Sequence, residues 1–326
     1  MLAFPRPLAV NSEDPAVIAI DVVLTEQQMA EDFLASLGKR FLSEKFFYWF
    51  PLSVRAWLEL CGDGEYRNFI RSHQLIARHA GEIAGALPRR VEVVSLGSGQ
   101  GDKDALLLRA ARAVGREVSY RPLDSSQALL ELACQAAAQE GVDGRGLKLD
   151  IGRESHWARV APSEAPRLYA VLGNTTGAFD PLDFVKRLTD LLRPEDRALL
   201  DGEIFAAESL RGYDNPTNRR FAFAPLASVG ITETDGALRF ETHEDSRLPG
   251  LHFFSKHFQP ARDLQLTIGG EPLWLERGVR VEMSPTYKYS RPGFLALLEE
   301  TGRLEIERQY FSDDERFLMV LARAAA

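Results

Sequence analysis

The middle of the chain alternates short apolar runs with longer amphipathic ones. Short β-branched apolar runs predict strands, and apolar residues repeated every three or four positions predict helices. The predicted strands span residues 91–99, 116–124, 145–150, 167–174 and 197–205, and the predicted helices between them span residues 104–114, 126–139 and 181–192. Strands that alternate with helices of this length form a parallel sheet covered on both faces. We therefore predict a doubly wound α/β fold.

The regions on either side of this alternation follow other patterns. Residues up to about 87 are mainly helical in periodicity, with amphipathic runs at 26–37 and 66–87. Residues 206–286 contain several strand-like pieces and a basic aromatic segment, which we predict to be a helix beside a cleft. The remaining chain predicts a helix at 291–302 and a closing antiparallel strand pair. Two spatial domains built from discontinuous stretches of the chain are therefore expected.

Composition narrows the class of protein. The chain has 326 residues, 45% hydrophobic and 26% charged, as in an ordinary globular protein. Its formal net charge of −8 argues against a nucleic-acid partner, because nucleic acids are held by clustered Lys and Arg. Two cysteines, Cys61 and Cys134, and six scattered histidines indicate neither a metal site nor a disulfide framework.

The sequence pattern also predicts neither a membrane-spanning segment nor a signal peptide. No apolar run approaches the roughly 18 residues that cross a bilayer. The N-terminus, MLAFPRPLAVNSEDPAV, lacks the charge order of a signal peptide. We therefore expect a cytoplasmic protein with no membrane partner.

A glycine-rich loop, LGSGQGDKD at residues 96–104, separates the first predicted strand from the helix after it. Glycines let the backbone approach a ligand, and the helix start offers unpaired N–H groups. Asp124 ends the second strand and Asp150 the third, so both lie with the loop at the carboxyl edge of the sheet. This combination favours S-adenosylmethionine over a dinucleotide, because the former has no pyrophosphate and its sulfonium suits acidic walls. Either acid could instead cap the helix that follows it.

Several segments together resemble one enzyme family. The glycine loop, PLDSSQALLELA, LGNTTGAFDP, GYDN and SPTYKYSRPGF resemble segments of the histidine Nα-methyltransferases of ergothioneine biosynthesis, and KFFYWF is similar to their KYFYD. The resemblance covers most of the chain, from about residue 39 to the end. It implies a Rossmann-like methyltransferase domain (residues 70–205 and 287–326) and a discontinuous substrate-recognition domain (residues 1–69 and 206–286). It also implies methyl transfer to the α-amine of an amino acid.

The resemblance also implies roles for individual residues around the cofactor. Gly97 and Gly99 would approach the methionine part of S-adenosylmethionine, and Lys103 would contact its carboxylate. Asp124 would hold the ribose, and Asp150 the adenine. The full set of implied cofactor-binding residues is Gly97, Ser98, Gly99, Lys103, Asp124, Ser125, Asp150 and Gly173.

Three tyrosines, Tyr48, Tyr66 and Tyr213, correspond to tyrosines that the family carries near its substrate, and we take them as the catalytic set. Tyr213, in GYDN, is the best placed of the three. Its counterpart in the family holds the substrate carboxylate, which implies the same role here. Tyr66 aligns with its counterpart only through a one-residue insertion.

Two departures from the family pattern concern the acceptor. Ala178 stands where the family has an Asn that contacts the amino-acid head group. The family's Glu-x-Ser pair, which reads the imidazole, becomes Ser284 and Thr286. Glu282 would share a face with Ser284 in a regular strand and could replace the missing carboxylate. A site that loses such a carboxylate loses much of its preference for an imidazole ring. Histidine is therefore a doubtful acceptor.

The resulting hypothesis is an S-adenosylmethionine-dependent N-methyltransferase that acts on an amino acid or a related small amine. Two alternatives stay open at this point. The glycine loop alone would also suit an NAD(P)-dependent oxidoreductase. The replaced head-group residues would also suit a non-catalytic relative that binds the cofactor and serves as a scaffold.

Overall fold

The computed structural model describes residues 18–160 and 163–325 of the chain. Its strands are β1 (Ala19–Val22), β2 (Phe41–Leu42), β3 (Arg90–Leu96), β4 (Glu117–Asp124), β5 (Arg145–Lys148), β6 (Arg167–Val171), β7 (Arg197–Glu203), β8 (Gly236–Asp245), β9 (Leu251–Pro260), β10 (Leu264–Ile268), β11 (Glu271–Leu275), β12 (Val281–Tyr289), β13 (Leu304–Phe311) and β14 (Phe317–Ala324). The five strands predicted in the middle of the chain are β3 to β7. Four of them end two or three residues before the predicted end, because the chain turns away at the sheet edge.

The helices predicted from periodicity are present, together with three that the periodicity does not predict individually, Pro51–Gly62, Glu154–Trp157 and Ser209–Tyr213. In the described part of the chain, the helices are α1 (Glu26–Gly38), α2 (Pro51–Gly62), α3 (Arg67–Ala86), α4 (Asp102–Ala113), α5 (Gln127–Gln139), α6 (Glu154–Trp157), α7 (Pro181–Leu191), α8 (Ser209–Tyr213), α9 (Pro216–Ala227) and α10 (Arg291–Ala296). The helix predicted for residues 291–302 is present, but its second half, Leu297–Thr301, is a π-helical turn that follows α10 directly. There the Gly302 N–H donates to the Leu297 carbonyl, five residues back. Among the described residues, no helix has both the length and the apolar character needed to cross a membrane.

Within residues 18–160 and 163–325, eight strands form one sheet in the order β1-β5-β4-β3-β6-β7-β14-β13. The strands from β1 to β7 in this order are parallel to their neighbours, whereas β14 pairs antiparallel with both β7 and β13. The doubly wound α/β sheet and its closing antiparallel pair are therefore confirmed. The order reverses between β3 and β6, which opens a crevice at the carboxyl ends of these strands.

Both faces of this sheet are covered by helices. Alternate residues of β3 belong to different core clusters: Val91 and Val93 pack with α3, α4 and α5, and Val94 and Leu96 pack with α7 and α10. This follows from the two-residue period of a strand, which sends neighbouring side chains to opposite faces. The near-continuous apolar sequence of β3 is thus explained by burial on both sides.

A second sheet has the order β2-β12-β9-β8, and β10 and β11 form a separate hairpin. The third core cluster lies against this sheet and draws on two distant stretches of chain, from Leu24 to Leu60 and from Phe221 to Met283. Its centre is aromatic, with Phe33 in edge contact with Phe46 and Phe50 at centroid distances of 5.1 Å. The N-terminal helices and the 206–286 insertion are therefore packed together.

The chain segments assigned to the two predicted domains are joined by strand pairing at the start of the chain and again near its end. β1 joins the large sheet by pairing with β5, although it lies in the 1–69 stretch. β12 crosses the 286/287 boundary, and its last residue, Tyr289, bridges Ile204 just beyond β7. The Phe205 N–H donates to the Tyr289 carbonyl at 2.8 Å. The division of the chain into two domains stays a prediction. It assigns residues 1–69 and 206–286 to one domain and residues 70–205 and 287–326 to the other.

Phe33→Ala should lower the free energy of unfolding by about 3–5 kcal/mol, because a fully buried ring is replaced by a cavity. Urea denaturation followed by tryptophan fluorescence measures this change. Phe41→Ala is the matched control, since the Phe41 side chain is 39% exposed and its loss should cost less than about 1 kcal/mol. Equal losses of unfolding free energy in the two variants would contradict the burial of Phe33 in the third core cluster.

Candidate active site

A cleft opens at the carboxyl edge of β3, β4 and β6, between the large sheet and the aromatic cluster. It contains about 1440 Å³ of space between atoms, part of it open to solvent. Every cofactor-binding and catalytic residue predicted from the sequence lines it, namely Tyr48, Tyr66, Gly97, Ser98, Gly99, Lys103, Asp124, Ser125, Asp150, Gly173 and Tyr213. The sequence therefore identifies which residues lie together, and their individual roles depend on the contacts described below.

The glycine loop passes from β3 to α4 through left-handed backbone. Gly97 has φ of 72° and Gly99 has φ of 56°, a region that side-chain-bearing residues rarely adopt. A Cβ atom on Gly97 would lie 2.9 Å from Cγ2 of Thr175, so this turn also has no room for a side chain. A Cβ on Gly99 would meet nothing nearer than 3.9 Å, because its backbone faces the cleft.

Asp124 lies at the end of β4 beneath this loop. Its Oδ2 accepts the Gly99 N–H at 3.0 Å and its Oδ1 accepts the Ser126 N–H at 2.9 Å. Burial raises the pKa of this carboxyl, and these backbone N–H groups act in the opposite direction. The side chain thus fixes the loop and lines the cleft, whereas α5 is capped by Ser126, whose hydroxyl accepts the Leu129 N–H. Each carboxylate oxygen keeps a lone pair that a ligand hydroxyl can use.

Lys103, in the first turn of α4, supplies a cation to the same end of the cleft. Its Nζ lies over the ring of Phe69, 4.9 Å from the centroid. The same atom is 3.3 Å from the place where a side chain on Gly173 would begin, so glycine there leaves room for the ammonium. Within the described part of the chain, no carboxylate forms an ion pair with Lys103. An anionic ligand group in the cleft would therefore meet an available partner.

Asp150 lies two residues beyond the end of β5 and is already engaged by protein groups. Its Oδ1 accepts the Gly152 N–H at 2.8 Å, and its Oδ2 pairs with Nζ of Lys45 at 3.0 Å. Lys45 pairs with Asp32 as well, at 2.5 Å. No local sequence pattern points to Lys45, because it reaches Asp150 across more than a hundred residues.

The Tyr213 side chain is held in position by three buried polar side chains. Its hydroxyl donates to Oε2 of Glu203 at 2.7 Å and accepts from Nδ2 of Asn68 at 2.6 Å and from Nζ of Lys288. Lys288 and Glu203 form an ion pair at 2.5 Å with side chains 0% and 5% exposed. Burial raises the pKa of Tyr213 well above its usual value, so the hydroxyl keeps its proton.

Tyr48 and Tyr66 belong to an aromatic wall on the other side of the cleft. The Trp57 ring contacts Tyr48 edge-on at 5.2 Å, Phe221 at 5.5 Å and Tyr66 at 6.2 Å between centroids. Phe221 comes from α9, which is the helix predicted for the basic aromatic segment. The Tyr48 hydroxyl donates to Oε1 of Glu44 at 3.0 Å. These rings form an apolar wall next to the polar cofactor end.

The replacement of the missing carboxylate by Glu282 is wrong. Glu282 pairs with Arg280 at 2.7 Å, its side chain is 42% exposed, and it is not among the residues that line the cleft. The cause is a register shift in β12 between Met283 and Thr286, at Pro285. Met283 and Ser284 are both buried there, so the two-residue alternation on which the hypothesis depended is broken.

The cleft contains two further charged residues that the sequence did not indicate. Glu44 precedes KFFYWF, and Lys256 comes from β9. Burial lowers the pKa of Lys256 and raises that of Glu44, and each charge opposes the shift of the other. No sequence signal could have found the pair, because the two residues are brought together only by the packing of distant segments.

This fold and cleft are those of an S-adenosylmethionine-dependent methyltransferase. Residues 29–324 match the family described as histidine-specific, S-adenosylmethionine-dependent methyltransferases, and the chain belongs to that family. S-adenosylmethionine is thus its cofactor, and the resemblance inferred from the motifs is confirmed. An NAD(P)-dependent oxidoreductase and a non-catalytic relative, the two alternatives left open by the sequence, are not supported.

Individual relatives are distant. The N-methyltransferase imqF of Aspergillus flavus is 22% identical over 271 residues, 78% of this chain and 73% of that protein. Ergothioneine biosynthesis protein 1 of Neurospora crassa is 33% identical over 77% of this chain but 30% of its own length. Histidine N-alpha-methyltransferase of Mycobacterium tuberculosis is 31% identical over 47% of this chain and 48% of that protein. The matched part of this chain thus spans less than half the length of the last two.

Among solved structures, an S-adenosylmethionine-dependent methyltransferase from Clostridium acetobutylicum is similar to this chain at 11% identity and a TM-score of 0.43. The match covers 78% of this chain and 92% of the solved one.

The residues of the cleft fit this cofactor. Lone pairs of Asp124 can accept ribose hydroxyls, and Lys103 can pair with a carboxylate. The open space over Gly99 admits a ligand close to the backbone. Glycine at 97 satisfies a backbone requirement and a steric one, whereas glycine at 99 satisfies the backbone requirement and leaves space for a ligand.

Gly97→Ala should weaken binding of S-adenosylhomocysteine by tenfold or more, because the methyl group collides with Thr175 and displaces the loop. Isothermal titration calorimetry measures the affinity. Gly115→Ala is the matched control, since Gly115 has φ of 75° but an added Cβ meets nothing within 4 Å. Both variants carry left-handed strain on the order of 1–2 kcal/mol. A similar loss of affinity in both would show that strain, not the loop, is responsible.

Asp104, buried in α4 behind the glycine loop, accepts the Tyr120 hydroxyl at 2.6 Å, and burial raises its pKa to about 6. The unfolded carboxyl loses its proton near its ordinary value of 3.8, so the folded state binds more protons between these two values. The free energy of unfolding of wild type, relative to Asp104→Asn, should therefore fall as pH rises from 3.8 to about 6 and stay constant above. Urea denaturation at a series of pH values measures this difference, and a flat difference would contradict it.

Proposed function

We propose that this enzyme transfers a methyl group to the amine nitrogen of an amino acid or a related small metabolite. The observation that carries the proposal is the continuity of the cleft. Its polar end, with the glycine loop and Asp124, opens directly onto the aromatic wall and the buried charges of Glu44 and Lys256. A zwitterionic or amine acceptor meets partners of both signs there, and apolar contact as well.

The names of the relatives support transfer to nitrogen. Three of them are named as N-methyltransferases, namely imqF and fsqC of two Aspergillus species and a dimethylallyltryptophan N-methyltransferase of Epichloe festucae var. lolii. Others are named as histidine N-alpha-methyltransferases. The acceptor differs among these relatives, and Ala178 and Ser284 make histidine a doubtful acceptor here.

In this proposal the cofactor lies along the carboxyl edge of the large sheet, where it supplies an electrophilic methyl group on a sulfonium. The backbone of Gly97 and Gly99, with Ser98 beside them, borders its amino-acid part, and Lys103 pairs with its carboxylate near Gly173. Asp124 and Ser125 hold the ribose. Asp150, kept in place by Lys45, borders the adenine.

The acceptor lies between the cofactor and the aromatic wall, which belongs to the proposed substrate-recognition domain. Because the Tyr48 proton is donated to Glu44, the Tyr48 oxygen offers lone pairs that can accept an amine N–H and orient the nitrogen. Tyr213 is held in one position by Glu203 and Lys288 and forms a rigid wall. Tyr66 closes the aromatic side.

The nitrogen must be neutral to attack a methyl group, and burial in this cleft favours that form. Desolvation lowers the pKa of Lys256 and of Lys288, and the same effect acts on an acceptor ammonium beside them. Once the amine is neutral and held by Tyr48 against the wall, alignment and exclusion of water provide most of the rate.

Wild type incubated with S-adenosylmethionine and a panel of amino acids and small amines should yield at least one product heavier by a methyl group, detected by mass spectrometry. Asp124→Ala should lose product and S-adenosylhomocysteine affinity by tenfold or more, because the loop and the ribose lose their acceptor. Asp196→Ala is the control: Asp196 is equally buried and accepts the N–H groups of Arg167 and Arg193, but lies outside the cleft. It should lose stability and keep cofactor affinity.

Two results would contradict the proposal. No methylated amine from the wild type across the panel would remove the proposed reaction. Equal cofactor affinity in wild type and Asp124→Ala would remove the role given to Asp124 and leave the reaction in place.

A further inference from the structure

Asn174, in the turn that follows β6, lies in left-handed backbone. Its φ is 62°, a conformation that residues with a side chain rarely adopt and that Asn tolerates better than most. The Gly173 and Asn174 N–H groups both donate to the Asp201 carboxylate, at 2.9 and 2.7 Å, and Asp201 is fully buried in β7. The turn is therefore fastened to β7 through its backbone, whichever side chain stands at position 174.

The side chain of Asn174 makes a second, separate connection. Its Oδ1 accepts the Glu203 N–H at 3.0 Å, at the end of β7. Its Nδ2 donates to the Tyr287 carbonyl at 3.2 Å, in β12. Asn174 is buried, so both bonds are shielded from water. One amide group thus joins the large sheet to the small sheet.

Gly177 leaves the room that this amide needs. A Cβ atom on Gly177 would overlap Nδ2 of Asn174 and would lie 2.6 Å from the Tyr287 carbonyl oxygen. Glycine is therefore required for the bond between Asn174 and Tyr287. The Gly177 N–H also donates to the Asn174 carbonyl at 2.9 Å. The two residues belong to one hydrogen-bonded arrangement within LGNTTG.

The two backbone groups that the Asn174 side chain binds adjoin the buried ion pair of the cleft. The Glu203 N–H belongs to the residue whose carboxylate pairs with Lys288, and the Tyr287 carbonyl belongs to the peptide bond that leads to Lys288. That ion pair holds the Tyr213 hydroxyl from both sides. The amide of Asn174 therefore sets the separation of the two strands on which the position of Tyr213 depends.

The same turn borders the cofactor end of the cleft. Gly173, Asn174 and Thr175 all line the cleft. The absence of a side chain on Gly173 leaves room for Nζ of Lys103, and Thr175 lies directly against Gly97 of the glycine loop. A displacement of this turn relative to Tyr213 would therefore change the distance between the methyl donor and the acceptor.

We infer that Asn174 is a positioning residue for methyl transfer, which holds the acceptor wall at Tyr213 in register with the cofactor-bordering turn at Gly173. This inference rests on the proposed function. Asn174 acts through Tyr213 and not by contact with the reacting atoms. Transfer requires the nitrogen, the methyl carbon and the sulfur to be aligned, and a misplacement of about 1 Å costs on the order of a hundredfold in rate.

Asn174→Gly is the test, because glycine adopts the left-handed backbone and keeps both N–H bonds to Asp201. Its affinity for S-adenosylhomocysteine, measured by calorimetry, should stay within about twofold of wild type, since only the transition state depends on the alignment. The acceptor is the amine of the panel that wild type methylates fastest. With this amine, kcat should fall by about tenfold or more, and KM for S-adenosylmethionine should stay within about threefold.

Glu315→Gly is the matched control. Glu315 is also left-handed, with φ of 56°, and lies exposed in the turn between β13 and β14, outside the cleft. The same change from a side-chain-bearing residue to glycine is made there without the loss of a bond to the cleft. This variant should keep the kcat of wild type.

Two further measurements separate positioning from a general loss of stability. In a Tyr213→Phe background, Asn174→Gly should lower kcat by less than about twofold, because the hydroxyl through which Asn174 acts is already missing. Tyrosine labelled with carbon-13 at Cζ gives an NMR signal for Tyr213, assigned by its absence from Tyr213→Phe. This signal should shift in Asn174→Gly and stay in place in Glu315→Gly, and its measurement needs no acceptor.

Three results would overturn the inference: an unchanged kcat in Asn174→Gly, the same loss of kcat in the Tyr213→Phe background as in wild type, or an unmoved Tyr213 signal. The absence of any methylated amine from wild type would instead remove the proposed reaction. The NMR signal then still decides whether Asn174 holds Tyr213 in position, because it is measured on the protein alone.

Discussion

The geometry of the cleft depends on one buried ion pair, Lys288 with Glu203. Lys288 comes from β12 of the small sheet and Glu203 from the end of β7 in the large sheet, and both side chains are almost without exposure. Removing one partner of such a pair leaves an uncompensated buried charge, at a cost of about 3–5 kcal/mol. The pair therefore fixes the join between the two sheets. Because Tyr213 bonds to both charges and Asn68 bonds to Glu203 and Tyr213, the pair also fixes one wall of the cleft.

The remaining charges of the cleft divide into two groups with different consequences. Asp124 and Asp150 have their oxygens bonded to backbone N–H groups or to Lys45, so they hold the shape of the site whether or not a ligand is bound. Lys103 and Glu44 are buried or half-buried with bonding capacity left over. Desolvated groups of this kind are costly in the folded state, and a bound molecule of the right charge offsets the cost. The first group explains the rigidity of the site, and the second leaves bonding capacity for a ligand.

The sequence predicts well what is local. The glycine loop, Asp124 and the helices of the large sheet follow from short periodicities and from turn chemistry within about ten residues. The two-residue strand β2, the addition of β1 to the sheet edge, and the Lys45–Asp150 pair depend on segments far apart in the chain, and no local pattern encodes them. Tyr213 is a mixed case. Its motif predicts that the residue lies in the cleft. The motif does not predict Glu203 and Lys288, which form hydrogen bonds with the Tyr213 hydroxyl.

The different positions of Glu282 and Glu44 show why position along a strand is an uncertain guide to position in a site. Glu282 is two residues from Ser284, and regular pleating would bring both to one face. Pro285 cannot donate to the ladder, and the register shift around it buries Ser284 next to Met283 and leaves Glu282 outside with Arg280. Glu44, 240 positions before Ser284 in the chain, reaches the space in front of Ser284 because the third core cluster packs the N-terminal helices against β12. Proline inside a predicted strand was a visible warning of the first outcome, whereas the second depends on tertiary packing alone.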